Sequence, residues 1–385
     1  MKKKQDTLIV TAGRAPEANF GILNPPVYHA STVLYPTLEA VKTRSQPVTY
    51  GRRGTPTTFA LQDAIAELEG GHRSVLTPSG LAAVTTALLA HLKTGDHLLM
   101  TDSVYEPSRH FCDKVLTRYG VTVEYYDPRI GAEIEKLIRP ETKVIFTESP
   151  GSVTFEVQDI PAIANAAHRS GVLLMMDNTW ASPLYFKPFE HGVDVSIQAV
   201  TKYLCGHSDV MMGSITTTEA AWKETLAGHG ALGICAAPDD IYLVLRGIRT
   251  LSVRLERHME TGLKLARWME ARPEVSRVIH PALPSHPDHA IWKRDFTGAS
   301  GLFSIELQPC PETALAAFLD GLELFGMGYS WGGFESLIIP QYPAKIRTAT
   351  AWTATGQILR LHAGLEDAGD LISDLEAGFE RLHAA

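Results

Sequence analysis

The stretch Gln198-Ala199-Val200-Thr201-Lys202-Tyr203-Leu204-Cys205-Gly206-His207-Ser208-Asp209 contains the most informative residue of the chain. Its single lysine, Lys202, comes after an apolar segment typical of a buried strand and before a Gly-His-Ser turn. An ammonium group is costly to bury without a partner, so packing does not explain this lysine. A lysine amine can form a Schiff base with a carbonyl compound. We therefore infer that Lys202 has a chemical role.

A carboxylate suited to the same chemistry stands upstream. The apolar run at residues 172–176 predicts a fully buried strand, and Asp177 follows at its end. Open α/β sheets bind their ligands at the carboxyl ends of their strands. Pyridoxal 5'-phosphate (PLP) attaches covalently to a lysine and needs an acidic partner for its ring nitrogen. Lys202 and Asp177 together therefore favour a PLP site.

Short apolar runs alternate with amphipathic ones through the first two thirds of the chain. The predicted strands lie near residues 75–76, 97–100, 121–125, 143–146, 172–176 and 193–197. The predicted helices lie near residues 81–92, 106–119, 131–139 and 159–170. This alternation predicts an α/β fold with a mostly parallel sheet that is covered by helices on both faces.

Three segments follow from the change of pattern along the chain. Residues 1–55 carry many turn formers and little periodicity, so they form an arm that must lie on another surface, such as a neighbouring subunit. Residues 56–247 form the large α/β domain that binds PLP. Residues 248–385 form a smaller α+β domain, which begins within a long amphipathic stretch at 241–270 and continues beyond a proline-rich break.

Composition narrows the class of protein. A formal net charge of −8 disfavours nucleic acid and anionic membranes as partners, because both require clustered positive charge. The start of the chain lacks the apolar run of a signal peptide, and no run approaches the ~20 residues that span a bilayer. The four cysteines form no CxxC pair, which favours reduced thiols and a cytoplasmic protein. The fifteen histidines show no HExxH or clustered Cys/His spacing, so we expect no metal.

Seven motifs, spread along the chain, resemble those of the Cys/Met-metabolism family of PLP enzymes, and within it the cystathionine β-lyases. They are Tyr50-Gly51-Arg52-Arg53-Gly54-Thr55, Pro78-Ser79-Gly80-Leu81-Ala82-Ala83, Tyr105-Glu106-Pro107, Asp177-Asn178-Thr179, Thr201-Lys202, Ser330-Trp331-Gly332-Gly333-Phe334-Glu335-Ser336-Leu337 and Arg360-Leu361-His362-Ala363-Gly364-Leu365-Glu366-Asp367. The resemblance implies the aspartate-aminotransferase-like fold (fold type I) and dimers with shared active sites. It favours a homotetramer built from such dimers, with the dimer alone as the alternative.

A phosphate site is predicted where a strand turns into a helix. Free N–H groups and the helix dipole at such a turn favour an anion, although an ordinary capped helix start has the same pattern. By resemblance, the amides of Ser79, Gly80 and Leu81 bind the PLP phosphate together with Thr201. Many relatives carry a serine where this chain has Ala199, so one hydroxyl contact is expected to be absent.

Tyr50, Arg52 and Tyr105 are further cofactor-binding candidates. An arginine suits a phosphate because its fork donates two hydrogen bonds, although a solvated Arg-Arg turn is the alternative. By resemblance, Tyr50 and Arg52 reach the PLP of the neighbouring subunit. Tyr105 would stack on the PLP ring and help to deprotonate the incoming amine, with interface packing as its alternative.

Arg360 is the candidate for the substrate carboxylate. An arginine flanked by leucines needs a partner carboxylate, which a structural ion pair would also supply. By resemblance, Arg360 binds the α-carboxylate with help from the backbone of Ser330 and Trp331. The γ-enzymes of the family usually have glutamate where Tyr329 stands and leucine where Trp331 stands, which favours β-chemistry here.

The predicted reaction is the cleavage of cystathionine to homocysteine, pyruvate and ammonia, with Lys202 as base and then acid. Other cysteine S-conjugates, γ-elimination or γ-replacement, and a non-catalytic binding protein on the same scaffold are the alternatives. A literal GxGxxG at Gly228-His229-Gly230-Ala231-Leu232-Gly233 follows a helix-like run rather than a strand, so it does not predict a nucleotide loop.

Overall fold

The structure, a computed structural model, describes residues 3–385. Its α-helices are α1 (Gln5–Thr11), α2 (Leu38–Thr43), α3 (Pro56–Glu69), α4 (Gly80–His91), α5 (Glu106–Lys114), α6 (Ile160–Arg169), α7 (Ser182–Tyr185), α8 (Glu219–Ala231), α9 (Pro238–Ile248), α10 (Leu251–Glu270), α11 (His289–Asp295), α12 (Glu312–Asp320) and α13 (Ala368–Ala384). Its strands are β1 (Arg73–Thr77), β2 (His97–Thr101), β3 (Thr122–Tyr126), β4 (Thr142–Glu148), β5 (Leu173–Asp177), β6 (Val195–Gln198), β7 (Gly213–Thr217), β8 (Val275–Ile279), β9 (Leu302–Leu307), β10 (Leu337–Gln341) and β11 (Ile358–His362). Short 3-10 helices lie at Pro16–Asn19, Gly51–Arg53, Leu116–Tyr119, Gly131–Leu137, Pro188–His191 and Pro343–Lys345.

The large sheet has seven strands in the order β1-β7-β6-β5-β4-β2-β3. The pairs β2–β3, β2–β4, β4–β5 and β5–β6 are parallel, which confirms the mostly parallel sheet. Strand β7 pairs antiparallel with both β1 and β6 and was not predicted from the sequence.

Side chains alternate between the two faces of this sheet. Leu99, Ile145 and Leu174 pack in one buried cluster with α6, whereas Leu98 and Val144 pack in another with α4. Both faces of the sheet are therefore buried, which explains why the sequences of these strands are continuous apolar runs.

The second sheet is fully antiparallel, with the order β10-β11-β9-β8. Leu265 of α10, Phe318 of α12 and Phe379 of α13 pack against it in a separate buried cluster. The smaller sheet with its helices agrees with the predicted α+β unit.

Two local predictions differ from the structure. The segment predicted as a helix at 131–139 is a 3-10 helix at Gly131–Leu137. The amphipathic stretch at 241–270 is two helices, because α9 ends at Ile248 and α10 begins at Leu251. Residues 1–55 are predicted to lie on another surface, and at α1 part of that surface belongs to the same chain, where Ile9 is fully buried in a cluster with α3 and α9.

The fold brings four chain segments to one edge of the large sheet. Strands β4, β5 and β6 end there side by side at Glu148, Asp177 and Gln198. Helix α4 begins beside them, with Gly80 against Ala199. Within residues 3–385, no helix is both long and apolar enough to cross a membrane.

Candidate active site

A cleft of about 470 Å³ opens at this edge of the sheet. Every predicted site residue except Tyr50 and Arg52 lines it, namely Ser79, Gly80, Leu81, Tyr105, Asp177, Thr201, Lys202, Tyr329, Ser330, Trp331 and Arg360. Segments far apart in the sequence thus supply one set of charged, aromatic and hydroxyl groups.

Lys202 lies in the turn that follows β6. Its Nζ donates a hydrogen bond to Ser330 Oγ at 2.6 Å and lies 5.2 Å from the centre of the Trp331 ring. Burial, and then the positive charge of Arg360, lower the pKa of Lys202 to about 8, while Asp177 acts in the opposite direction. The amine is therefore far easier to deprotonate than that of an ordinary lysine.

Asp177 lies at the end of β5 and faces the cleft. Its Oδ1 accepts a hydrogen bond from the Thr179 N–H at 3.0 Å. Burial raises the pKa of Asp177, although Thr179 and the charge of Lys202 partly offset this effect. A protonated ring nitrogen in the cleft would give this carboxylate the cationic partner that a buried acid requires.

The first turn of α4 lies at one end of the cleft, and a helix N-terminus can bind an anion. Ser79 Oγ accepts from the Ala82 N–H at 3.1 Å, while the N–H groups of Gly80 and Leu81 belong to the turn in which a helix has no intrahelical acceptors. A Cβ on Gly80 would lie 2.6 Å from the Cβ of Ala199, so this approach needs a glycine. The Thr201 hydroxyl bonds to both the N–H and the carbonyl of Met212.

Arg360 projects from β11, and its Nη2 donates to the Ser330 carbonyl at 3.2 Å. Burial lowers the pKa of this guanidinium to about 10. None of the ion pairs formed within residues 3–385 involves Arg360, so the alternative of a structural ion pair does not hold for this part of the chain. A substrate carboxylate would complete its coordination.

These groups fit PLP. The cleft offers a lysine amine for the aldehyde, a carboxylate for the ring nitrogen and a helix N-terminus for the phosphate. The glycine contact at Gly80 keeps those amides close to the end of β6.

Comparisons with known proteins agree with this chemistry. Residues 6–380 match the family described as Cys/Met metabolism PLP-dependent enzyme. The chain belongs to this family. PLP is therefore its cofactor, and the aspartate-aminotransferase-like fold is confirmed.

The similar proteins span the whole chain. A putative cystathionine beta-lyase of Rhizobium johnstonii is 54% identical over 98% of this chain and 96% of its own length. The cystathionine beta-lyase of Escherichia coli is 48% identical over 99% of both chains. The crystal structure of cystathionine gamma-lyase from Lactobacillus plantarum complexed with L-serine is 32% identical, with a TM-score of 0.91 over 99% of this chain and 100% of that one.

Tyr105 begins the turn into α5 and reaches the cleft with its ring. Its backbone N–H donates to Glu148 Oε2 at 2.8 Å, which anchors the turn to the end of β4. Burial, followed by the charge of Glu148, raises the pKa of the Tyr105 hydroxyl. This shift favours the neutral phenol. The predicted role of Tyr105 at the PLP ring stays a prediction.

Tyr50 and Arg52 do not line the cleft of their own chain. Arg52 Nη1 donates to the carbonyl of Gly230 in the last turn of α8 at 3.1 Å, and Tyr50 is half exposed. Their predicted role at a neighbouring subunit's PLP stays a prediction.

Sequence reasoning missed two residues at this site. Glu148 lines the cleft and lies at the end of the largely apolar strand β4. An acid at the end of an apolar strand is the same signal that identified Asp177. His362 lies behind the loop that holds Ser330, and its Nε2 is 3.1 Å from the Gly332 nitrogen. His362 lies in the motif at residues 360–367, but the motif does not indicate its role, because the partner Gly332 lies thirty residues earlier in the chain.

Proposed function

We propose that the protein is a PLP-dependent carbon–sulfur β-lyase that cleaves L-cystathionine to homocysteine, pyruvate and ammonia, a step of methionine biosynthesis. The relatives at 48–54% identity carry this activity in their names. The observation that carries the proposal is the connection of Lys202, Ser330 and Arg360 in one cleft. This connection supports a proton-transferring role for the Lys202 amine and a carboxylate-binding role for the Arg360 guanidinium.

The residues that would hold PLP are Lys202, Asp177 and the first turn of α4. When bound, PLP supplies an electron-accepting ring that stabilises negative charge on the substrate Cα. Asp177 would keep the ring nitrogen protonated. Because burial raises the pKa of Asp177, its ionised form is favourable only beside such a positive partner.

Arg360 orients the substrate by binding its α-carboxylate with two parallel hydrogen bonds. The Ser330 carbonyl fixes Nη2 of this guanidinium, so the carboxylate has one orientation relative to Lys202. Nζ of Lys202 then removes the Cα proton and returns a proton to the departing sulfur, acting first as base and then as acid. Its lowered pKa suits both roles near neutral pH.

Tyr329 and Trp331 favour β- over γ-chemistry. Tyr329 lies at the exposed mouth of the cleft, with 83% of its surface accessible, and Trp331 lies next to Lys202. A tyrosine offers a ring and one hydroxyl where a γ-enzyme has a carboxylate that can assist the extra proton transfers. The γ-lyase of known structure is the more distant relative, at 32% identity.

Product analysis tests the reaction. Purified protein with PLP is incubated with L-cystathionine, and both keto acids are measured by chromatography under initial-rate conditions. Pyruvate with homocysteine is expected. A predominance of 2-oxobutyrate and cysteine would assign the γ-reaction, and no turnover of cystathionine or other cysteine S-conjugates would support a non-catalytic role.

We also propose that two chains form a dimer with shared active sites, and that dimers associate into a homotetramer. The segment between α1 and α3 supports this proposal, because it exposes large apolar side chains. Phe20 is 100% exposed and Leu34 is 85% exposed, and Ile22, Leu23 and Leu38 are exposed as well. Such a run needs a covering surface.

All four cysteines are unpaired, in keeping with the reducing cytoplasm where we place the reaction.

A further inference from the structure

The loop Ser330–Gly333 is held in an unusual backbone conformation against Lys202. Ser330 and Gly332 both have left-handed φ angles, of 76° and 89°. A Cβ on Gly332 would lie 2.9 Å from the carbonyl carbon of Lys202 and 3.0 Å from the Tyr203 nitrogen. The loop therefore packs closely against the backbone of Lys202 and Tyr203. Contacts on its opposite side then help to set its position.

His362 is that support. It is 1% exposed, and its Nε2 lies 3.1 Å from the Gly332 nitrogen and 3.2 Å from the Gly333 oxygen. The hydrogen of the Gly332 N–H points at Nε2. His362 Nδ1 has no partner among residues 3–385, so the imidazole is bonded through its loop-facing edge alone.

The same loop carries both contacts on which the site depends. Ser330 Oγ receives the hydrogen bond of Lys202 Nζ at 2.6 Å, and the Ser330 carbonyl receives that of Arg360 at 3.2 Å. A displacement of Gly332 would move both acceptors together. We propose that His362 is a positioning residue, whose Nε2 fixes Gly332 and thereby sets the relative placement of Lys202 and Arg360.

This inference rests on the proposed β-lyase function for its kinetic consequence, but its structural consequence is independent of it. His362→Leu keeps an apolar side chain of similar size and removes the hydrogen-bonding edge. His362→Gln restores an amide whose oxygen can accept from Gly332 and whose nitrogen can donate to Gly333. His258→Leu is the matched control, because His258 is equally buried in the same aromatic cluster but bonds to the Ala363 carbonyl.

The first measurement is amide hydrogen exchange of the peptide covering residues 328–335 in the holoprotein. We expect His362→Leu to speed exchange there by about tenfold or more, since a buried donor loses its acceptor. His362→Gln and His258→Leu should stay within about threefold of the wild type, as the Gly332 contact is kept. Unchanged exchange in His362→Leu would overturn the proposal, and so would equal acceleration in His258→Leu.

The second measurement is the steady-state kinetics of cystathionine cleavage. We expect His362→Leu to raise KM and lower kcat/KM by about tenfold to a hundredfold, and His362→Gln to recover most of this loss. A Gln variant as poor as the Leu variant in both measurements would show that shape, rather than the hydrogen bond, matters, and would overturn the proposal. If His362→Leu does not fold, His362→Asn, whose amide is too short to reach Gly332, replaces it. If the wild type has no lyase activity, the proposed function fails while the exchange result still decides the role of His362.

Discussion

Glu148 and Asp177 are direct neighbours at the ends of the parallel strands β4 and β5, and both side chains face the cleft. Burial, followed by the negative charge of Asp177, raises the pKa of Glu148 well above its usual range. Two carboxylates so placed do not ionise together easily. Because we propose Asp177 as the charged partner of the ring nitrogen, we infer that Glu148 is the protonated member, held by the Tyr105 N–H.

Glu148→Gln should therefore stabilise the cofactor-free protein at neutral and higher pH. The pKa of Glu148 in the folded protein is above its value near 4.3 in the unfolded chain. Glu148 therefore does not destabilise the wild type below that pH, but the wild type loses stability as the pH rises through the folded pKa. Glutamine does not titrate and still accepts from Tyr105. The melting temperature of the variant minus that of the wild type should be near zero at pH 4.5 and about +2 °C or more at pH 8. A difference in melting temperature that does not grow with pH would contradict this prediction. The control is Glu67→Gln on α3, which removes a carboxylate that is exposed.

Lys202→Ala should abolish the visible absorbance of protein-bound PLP and reduce cystathionine cleavage by about three orders of magnitude. In the proposed mechanism the Lys202 amine is both the covalent anchor and the proton carrier, and the cleft offers no other amine to replace it. Lys202→Arg is the matched variant, since it keeps the positive charge but supplies no amine nucleophile. Near wild-type turnover in either variant would contradict the role of Lys202.

The rate at which the cofactor-free protein takes up PLP should report the lowered pKa of Lys202. Only the unprotonated amine attacks the aldehyde, and its pKa of about 8 makes this form abundant at a lower pH than in an ordinary lysine near 10.4. The appearance of visible absorbance should accelerate up to about pH 8 and then level off. A small-molecule lysine derivative, as the control, should keep accelerating beyond pH 9. If the protein behaves like the control, the environment of Lys202 differs from that described above.

The sequence was sufficient for residues whose chemistry follows from a local pattern. Lys202 and Asp177 follow apolar strands, and the turn before α4 has the residues of an anion site, so the sequence pattern alone predicts all three at one edge of the sheet. Strand β7 was missed because the parallel α/β pattern does not predict an antiparallel strand inserted after the Lys202 turn.

The remaining site features depend on contacts between distant segments. Glu148 has the same local signal as Asp177, but only the register of β4 on β5 shows that the two acids compete for ionisation. His362 acquires its role from Gly332, which reaches it through tertiary packing. Arg52 contacts Gly230 in its own chain, and its predicted role depends on a second chain.

The shared active site can be tested by mixing two inactive variants. Tyr50 and Arg52 lie outside their own cleft, and the segment before them exposes apolar side chains. If Arg52 serves the neighbouring subunit, refolding Lys202→Ala together with Arg52→Ala should restore activity. Random pairing makes about half of the dimers mixed, and one of the two sites in each mixed dimer has neither lesion, so about a quarter of the wild-type activity is expected from two-fold symmetry.

The control for this mixing experiment is Lys202→Ala refolded with Asp177→Asn, because both residues line the same cleft of one chain. In that pair, each site of a mixed dimer keeps one lesion, so no activity should return. Subunit exchange is verified in both mixtures with a size-tagged chain. If exchange occurs but the Arg52→Ala mixture also stays inactive, Arg52 acts within its own subunit or outside the site. In that case the exposed segment between α1 and α3 would still require a covering surface, but it would not contribute Arg52 to catalysis in the partner.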